Sequence, residues 1–540
     1  GRGVGQRDYW VFENYLSYND KFGDHTVSTM VGTSAEKERY ETVNASKEGL
    51  VNNDANQQII NAATKNPAAS GSVSYHTMNS YFGRVFYSYA DKYMITANIR
   101  WDGSSNFADK HRWGVFPSVS GGWNFREESF IKDVVGDWFS QGKFRAAWGE
   151  IGNQNISSGA YLTRYGNSTY YLLGNSMTPW LSGGRTNVGN PDLRWETTRQ
   201  LDFGLDLAFF NSALKFNIDY FDRKTSDMLV QVPMPAAIGL PNTPWSNAGS
   251  VKNRGFEFIL DYHGKIGNDF SYNIAGNIST YKNKVLSLGG GTNIPGKTHL
   301  GNQVNTMIEP GKPIGYFYGY KMDGVFQTQE EINNYRGGPD NTIIMPTAEP
   351  GDLKFVDLNG DGKLGEEDRT MIGNPHPDFT FGLTLSGEYK GFDLSMFFQG
   401  SVGNDILNIL KYDIYSGTGW YNAPKDIFDK FWTGPGSTNE NFAISANSRD
   451  NLTMSEWYIE NGSYVRLKNV TLGYTFPKQW VQKLTVQNLR LFVAAQNLFT
   501  ITSYSGLDPE LGNSNPAFMG IDMGWYPQAR SFMVGLSLKL

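Results

Sequence analysis

Strict alternation of apolar and polar residues recurs along this chain and constrains its fold more than any other feature. Leu201, Phe203, Leu205, Leu207 and Phe209 are interleaved with Asp202, Gly204, Asp206 and Ala208. The pattern returns at Ile95, Ala97, Ile99 and Trp101 against Thr96, Asn98, Arg100 and Asp102. It returns again at Phe379, Phe381, Leu383 and Leu385 against Thr380, Gly382, Thr384 and Ser386. Successive side chains of a strand point to opposite faces, so each such segment separates two media. In a soluble sandwich the apolar face would cover a core. In a membrane barrel it would face lipid while the polar face lined a lumen.

Composition favours the barrel. No run of about 18 apolar residues is present, which excludes a helical membrane protein. A barrel escapes that test because only every second residue meets lipid, so a mean hydropathy of -0.44 is compatible with it. The 30 Tyr, 34 Phe and 14 Trp suffice for aromatic girdles at two interfaces, although a sugar-binding β protein would show the same excess. A net charge of -6 without a basic tract argues against nucleic acid. Absence of Cys removes disulfides and thiolate metal sites. The chain opens at Gly1 without a targeting segment while strand-like sequence begins at Tyr9, so an upstream part is expected.

The period-two pattern predicts about fifteen strands, at 8–18, 24–35, 79–90, 93–102, 113–125, 142–150, 194–210, 213–225, 251–262, 270–285, 378–388, 391–402, 464–476, 488–500 and 528–540. Links at 19–23, 91–92, 126–141, 211–212, 263–269, 389–390 and 477–487 are short, whereas those at 36–78, 151–193, 286–377 and 403–463 are very long. Short links alternating with long ones are expected of a barrel with tight periplasmic turns and elaborate extracellular loops. The last strand then runs downward and ends in the periplasm. Because fifteen is odd and bacterial single-chain barrels are even, an odd number of strands is expected upstream. Phe532, Val534, Leu536, Leu538 and Leu540 alternate with Met533, Gly535, Ser537 and Lys539. Such an amphipathic last strand resembles an outer-membrane assembly signal.

Several runs carry a more specific likeness. They include RWDGSSNF from Arg100, GVFPSVSGGW from Gly114, FRAAWGEIGNQN from Phe144 and NPDLRWET from Asn190. Further along are NAGSVKNRGFEF from Asn247, YVRLKNVTLGYTFP from Tyr464 and LFVAAQNLFTIT from Leu491. Taken together and in this order, they resemble the SusC/RagA family of TonB-dependent outer-membrane transporters of Bacteroidetes-type bacteria. The resemblance implies an all-β transmembrane antiparallel barrel of 22 strands with a plugged lumen, this chain supplying the C-terminal portion and roughly seven strands lying upstream. It also implies import of oligosaccharides or peptides, a SusD-like surface lipoprotein as a lid, and energy from the TonB complex through the upstream region. A passive porin and a soluble sugar-binding β protein or adhesin are the competing readings.

One loop has the spacing of a metal site. Residues 357–368, within the 286–377 loop, match a twelve-residue calcium loop, with Asp357, Asn359, Asp361 and Asp368 at positions 1, 3, 5 and 12. Gly362 falls at the sharp turn and the Lys363 carbonyl at position 7. Calcium needs several hard oxygens converging on one point. Asp at position 12 is one methylene shorter than the usual Glu, which weakens bidentate closure. The plain alternative is a solvated turn whose Asp and Asn side chains bond their own backbone. A structural calcium ion that orders the loop is the expectation.

Catalysis has little support. His25, His76, His111, His263, His299 and His376 form no metal-binding spacing, and no catalytic residue is expected. For contact with substrate or partner, the candidates are the loop aromatics Tyr170, Tyr171 and Trp180 in one loop and Tyr415, Trp420 and Tyr421 in another, since aromatic faces stack on sugars and anchor interfaces. Residues 50–65 read as a short amphipathic helix packing within the 36–78 loop.

Overall fold

The computed structural model describes residues 1–52, 54, 56, 58–173, 178–231, 243–289, 293–297, 303–415, 421–444, 450–481, 486–513 and 515–539. Fifteen strands follow one another in a single sheet in sequence order. They are β1 (Arg2–Phe22), β2 (His25–Glu48), β3 (Lys65–Tyr89), β4 (Tyr93–Ser104), β5 (Trp113–Trp123), β6 (Phe139–Asn153), β7 (Glu196–Phe209) and β8 (Leu214–Ser226). The remainder are β9 (Ser250–Ile266), β10 (Phe270–Ser287), β11 (Phe379–Tyr389), β12 (Phe392–Val402), β13 (Tyr464–Thr475), β14 (Asn488–Thr502) and β15 (Ser531–Lys539). Antiparallel registers run through β1–β6 and through β10–β15. Each expected strand overlaps one of these. No helix among the described residues is long and apolar enough to cross a membrane.

The chain divides into two compact units. The first holds residues 1–128, 144–203 and 223–250. Its β4 presents Tyr93, Ile95, Ala97, Ile99 and Trp101 on one face, aliphatic in the middle and aromatic at both ends. Trp101 packs with Trp113 and Tyr81 at ring-centroid separations of 5.3 and 6.3 Å. At the opposite end the Tyr93 hydroxyl and the Trp123 indole both donate to Glu128. Tyr93 and Trp101 are eight residues apart, about 20 Å of depth for a strand rising about 3.3 Å per residue and tilted about 40°. That matches the height of an apolar membrane band between two girdles. The other face of the strand carries polar pairs, such as Arg100 donating to Asp102 at 2.7 and 2.9 Å.

Three strands outrun any membrane. β1, β2 and β3 have 21, 24 and 25 residues, against about 10 for a tilted spanning strand. The 36–78 segment expected to be loop is therefore mostly strand, with Glu38 paired to His76 and Thr42 to Ser72. Hydrophobic alternation fades there while backbone pairing continues. The helix expected at 50–65 is not found among the described residues of that stretch; a 3-10 turn at Ile60–Ala62 stands in it. The 151–193 link contains a hairpin, Arg164–Leu173 with Thr178–Asn187. The link expected to be short at 126–141 carries a 3-10 turn at Phe125–Glu127 and a helix, α1, at Ser129–Val135.

The second unit holds residues 129–143, 204–222 and 251–540. Its tightest turn joins β11 to β12 through Lys390 and Gly391, at φ 48° and 91°, the left-handed pair that a twisted two-residue hairpin demands. Its longer links fold on one another. Val304–Ile308, Tyr316–Tyr320 and Arg369–Gly373 pair within the loop that follows β10. Asp405–Asn408 pairs antiparallel with Ile459–Asn461 and parallel with Ile521–Asp522, which knits together the links after β12 and β14. A buried apolar cluster, including Phe317, Phe326, Phe355, Leu407, Trp457 and Tyr458, lies among these loops.

Candidate binding cleft and calcium-type loop

The loop cluster opens into a cleft of about 520 Å³ between the links after β12 and β14, lined by Lys411, Tyr415, Asp426, Trp457, Glu460 and Leu507 among others. Its walls are mainly apolar, with two sets of charges set into them. Lys411 Nζ lies 3.0 Å from Glu460 Oε1, donates to the Trp457 carbonyl at 2.8 Å and sits 5.0 Å from the Trp457 ring centroid. Burial opposes ionisation of Glu460, but the Lys411 ammonium and the Ser505 N–H and hydroxyl outweigh it and hold the carboxyl below its usual range. At the other set, the Tyr415 hydroxyl donates to both oxygens of Asp426 at 3.0 and 3.1 Å. Lys430 lies 3.0 Å from the same carboxylate. Burial, then the hydrogen bond to Asp426 and its charge, push the Tyr415 phenol up to about 12. A phenol so held donates a hydrogen bond and does not serve as a base near neutrality. The Lys411, Glu460, Tyr415 and Asp426 side chains are paired with one another or with backbone, set into apolar walls, so the cleft is equipped to bind an amphipathic molecule.

Of the aromatics singled out in the sequence, Tyr415 lies in the cleft, its ring 4.7 Å from Phe431 and 6.1 Å from Trp457. Tyr421 is 64% exposed and is not among the lining residues. Trp420 lies outside the described residues. Tyr171 stands opposite Trp180 in the hairpin after β6, with Tyr170 opposite Leu181. Sequence reasoning missed Lys411, Trp457, Glu460 and Ser505. Their separation in the chain hides them: the pairing of Asp405–Asn408 with Ile459–Asn461 brings Lys411, Trp457 and Glu460 together, and Ser505 joins by donating to Glu460.

The calcium-type loop is closed by its own side chains. Asp357 accepts from Gly360 N and Gly362 N at 2.7 and 2.8 Å, Asn359 from Asp361 N at 2.8 Å, and Asp361 from Lys363 N at 2.9 Å. Asp368, fully buried, accepts from the N–H groups of Leu358, Asn359 and Gly365. Gly362 has φ 84°, and a Cβ there would meet the Gly337 carbonyl oxygen at 2.4 Å, so glycine is required at this turn. The donor chemistry suits a hard cation, and each carboxylate retains lone pairs beyond those used. Among the described residues, however, no group of three or more His, Cys, Asp or Glu converges on a point that would hold an ion.

Comparison with known proteins supplies the family. The family profile described as "TonB dependent receptor-like, beta-barrel" matches residues 1–498. This chain belongs to that family. TonB-dependent receptor P3 of Formosa agariphila is 36% identical over 543 residues, covering 98% of this chain and 52% of the relative. TonB-dependent receptor SusC of Bacteroides thetaiotaomicron is 31% identical over 539 residues, covering 97% and 49%. The chain thus spans about half the length of the curated relatives it matches. A solved structure of the RagAB peptide transporter superposes with a TM-score of 0.82 at 22% identity, covering 99% of this chain and 56% of that one. The resemblance to SusC and RagA is thereby upheld, and with it the TonB-dependent barrel fold. The family is one of receptors and transporters, not of enzymes.

Within this TonB-dependent receptor, four of the runs that carry the resemblance pack against or hydrogen-bond to neighbouring segments. In the first unit Phe107, Phe116, Leu193 and Trp195, from three different runs, form one buried cluster. The Trp195 indole donates to the Arg112 carbonyl at 2.9 Å. Asn247 exchanges hydrogen bonds with the backbone of Arg194 at 2.7 and 2.8 Å. These runs hold loop ends in place and leave the polar cleft to less regular sequence.

Proposed function

We propose that the full-length protein imports oligosaccharides or peptides across the outer membrane, driven through TonB, with a SusD-like lipoprotein closing over the barrel mouth. The observation that carries this reading is a mixed apolar and charged cleft among the long loops of a TonB-dependent receptor barrel. The RagAB neighbour is named as a peptide transporter and SusC as a TonB-dependent receptor, which supports nutrient uptake. On this reading the complete barrel has 22 strands around a plug, the short turns and the C-terminus face the periplasm, and the loop aromatics Tyr170, Tyr171, Trp180, Tyr415, Trp420 and Tyr421 contact substrate or lid.

The test uses cells expressing the full-length protein, offered fluorescent oligosaccharides and peptides in parallel. Uptake of one class that stops when the proton gradient is collapsed supports the proposal and identifies the cargo. Uptake that continues without the gradient identifies a passive porin and overturns it. We also propose that residues 357–368 bind calcium as a staple of the 286–377 loop. The spacing of Asp357, Asn359, Asp361, the Lys363 carbonyl and Asp368 supports this.

A further inference from the structure

The apolar face of the second unit is not evenly filled. In register across β10 to β13, three rows of residues lie side by side. The outer rows are Phe270, Tyr389, Phe392, Tyr474 and Ile274, Leu385, Met396, Val470. The row between them is Tyr272, Gly387, Leu394, Leu472, and Gly387 is its one missing side chain. A notch of about 520 Å³ results, bordered by Phe270, Tyr272, Leu385, Tyr389 and Leu394. Gly387 lacks a positive φ, so its backbone does not require glycine. A Cβ there would touch the Phe270 ring at 3.3 Å, and a longer side chain would fill the notch.

A second glycine repeats the device. Gly276 faces Leu383 and adjoins another apolar notch, of about 560 Å³, bordered by Phe216, Phe258, Ile278 and Phe381. It lies four residues beyond Tyr272, about 13 Å along the same strand. Ile274 and Leu385 stand between the two notches. At the turn end, Lys390 Nζ lies 5.3 Å from the Tyr389 ring centroid and 3.4 Å from the Asp269 carboxylate. An ammonium and a carboxylate therefore stand together at the rim of the first notch.

On the barrel reading this apolar face is the one that meets lipid. Water in them would find almost no polar partners, and empty space would forfeit dispersion contacts along every wall. Hydrocarbon is the filling that satisfies both constraints. We propose that the face is a specific site for one zwitterionic diacyl phospholipid of the leaflet on the short-turn side. Its acyl chains lie in the Gly387 and Gly276 notches, its phosphate meets Lys390 and its amine meets Asp269. The site is independent of cargo and of TonB, so its failure would leave the import reading untouched.

The test is native mass spectrometry of the full-length protein in mild detergent, after stripping and re-addition of phosphatidylethanolamine or uncharged diacylglycerol. One retained phosphatidylethanolamine is expected, with diacylglycerol held less tightly. Gly387→Leu should reduce retention at least about tenfold by occupying the notch. Lys390→Asn, which tolerates the left-handed turn, should erase the preference over diacylglycerol while leaving the fold intact. Heat-modifiable gel mobility confirms folding, and Gly276→Leu is the second filled variant if Gly387→Leu fails to fold. Retention by the filled variants equal to that of the unaltered protein would overturn the proposal. So would equal binding of the two lipids, or a dimer abolished by Gly387→Leu, which would make the notch a protein interface.

Discussion

Arg466 donates to Asp508 over 2.6 Å, and the two side chains are only 4% and 6% exposed. Arg466 also donates to Thr500 at 2.7 Å and to Glu510 at 2.6 Å, and Asp508 accepts from Gln528 N at 2.8 Å. Burial opposes the charge of Asp508, but Arg466 and the backbone N–H groups of Gln528 and Glu510 hold its carboxyl below the ordinary range. One guanidinium thus ties the link after β14 to the β13 and β14 wall. Removing one partner of a sealed pair leaves the other charge stranded, at a cost of about 3–5 kcal/mol. Arg466→Met should raise hydrogen exchange throughout residues 503–530, and Asp508→Leu added to it should restore part of the protection. Unchanged exchange in Arg466→Met would show that the pair does not hold the loop.

His376 gives the loop base a pH dependence. It is buried, its Nε2 lies 2.9 Å from the Ile314 carbonyl, and its Nδ1 lies 3.1 Å from the Tyr281 hydroxyl. The carbonyl requires the proton on Nε2, which leaves Nδ1 to accept from the phenol. Burial lowers its pKa from the usual 6.5, against a smaller opposing effect of the Ile314 carbonyl. Below about pH 6.5 the unfolded segment binds a proton that the folded one resists. Stability should therefore be complete above that pH and decline as pH falls toward the depressed folded value. Proteolysis of the 286–377 loop should accelerate between pH 7 and pH 5 in the natural protein and change less in His376→Gln.

The strands were legible in the sequence wherever a membrane imposed two media. Tyr93 to Trp101 shows this, with an aromatic at each end of a greasy run. Beyond the membrane the signal disappears, and Thr42 paired to Ser72 looks like loop although it is sheet. The cleft was half legible. Tyr415 stood out as an aromatic in a long loop, but Lys411 and Glu460 meet only because distant segments pair. The runs that signalled the family include packing positions, with Trp195 against Phe107 at 5.3 Å, and the Arg466 ion pair.

Phe203 offers a direct test of which face meets lipid. It is 40% exposed and stacks on Phe144 at 6.4 Å, on the face shared with Leu201 and Leu205. Phe203→Arg near the bilayer midplane should cost about 2–4 kcal/mol, and Leu205→Arg a similar amount. Asp202→Arg, on the opposite face, should cost far less. Urea titration of the protein folded into lipid vesicles measures all three. Equal penalties on the two faces, or a full-length protein soluble without detergent, would contradict a membrane barrel.

The calcium proposal separates from the plain turn by its response to a chelator. If an ion joins Asp357, Asn359 and Asp361, chelation should expose the 286–377 loop to protease, and added calcium should reverse the effect. Asp357→Ala together with Asp361→Ala should give the chelated behaviour at any calcium concentration. In a loop held only by hydrogen bonds, those substitutions would still remove the acceptors of Gly360, Gly362 and Lys363. Protease sensitivity of the variant alone therefore decides nothing, and the chelator series on the unaltered protein is the informative arm. Asp368→Glu sharpens it, since the added methylene supplies the reach of a bidentate twelfth ligand. That variant should bind calcium more tightly by isothermal titration if the ion is real. If the loop is only a turn, the same variant should crowd a fully buried position that donates nothing to an ion, weaken the N–H contacts of Leu358 and Gly365, and show no calcium response.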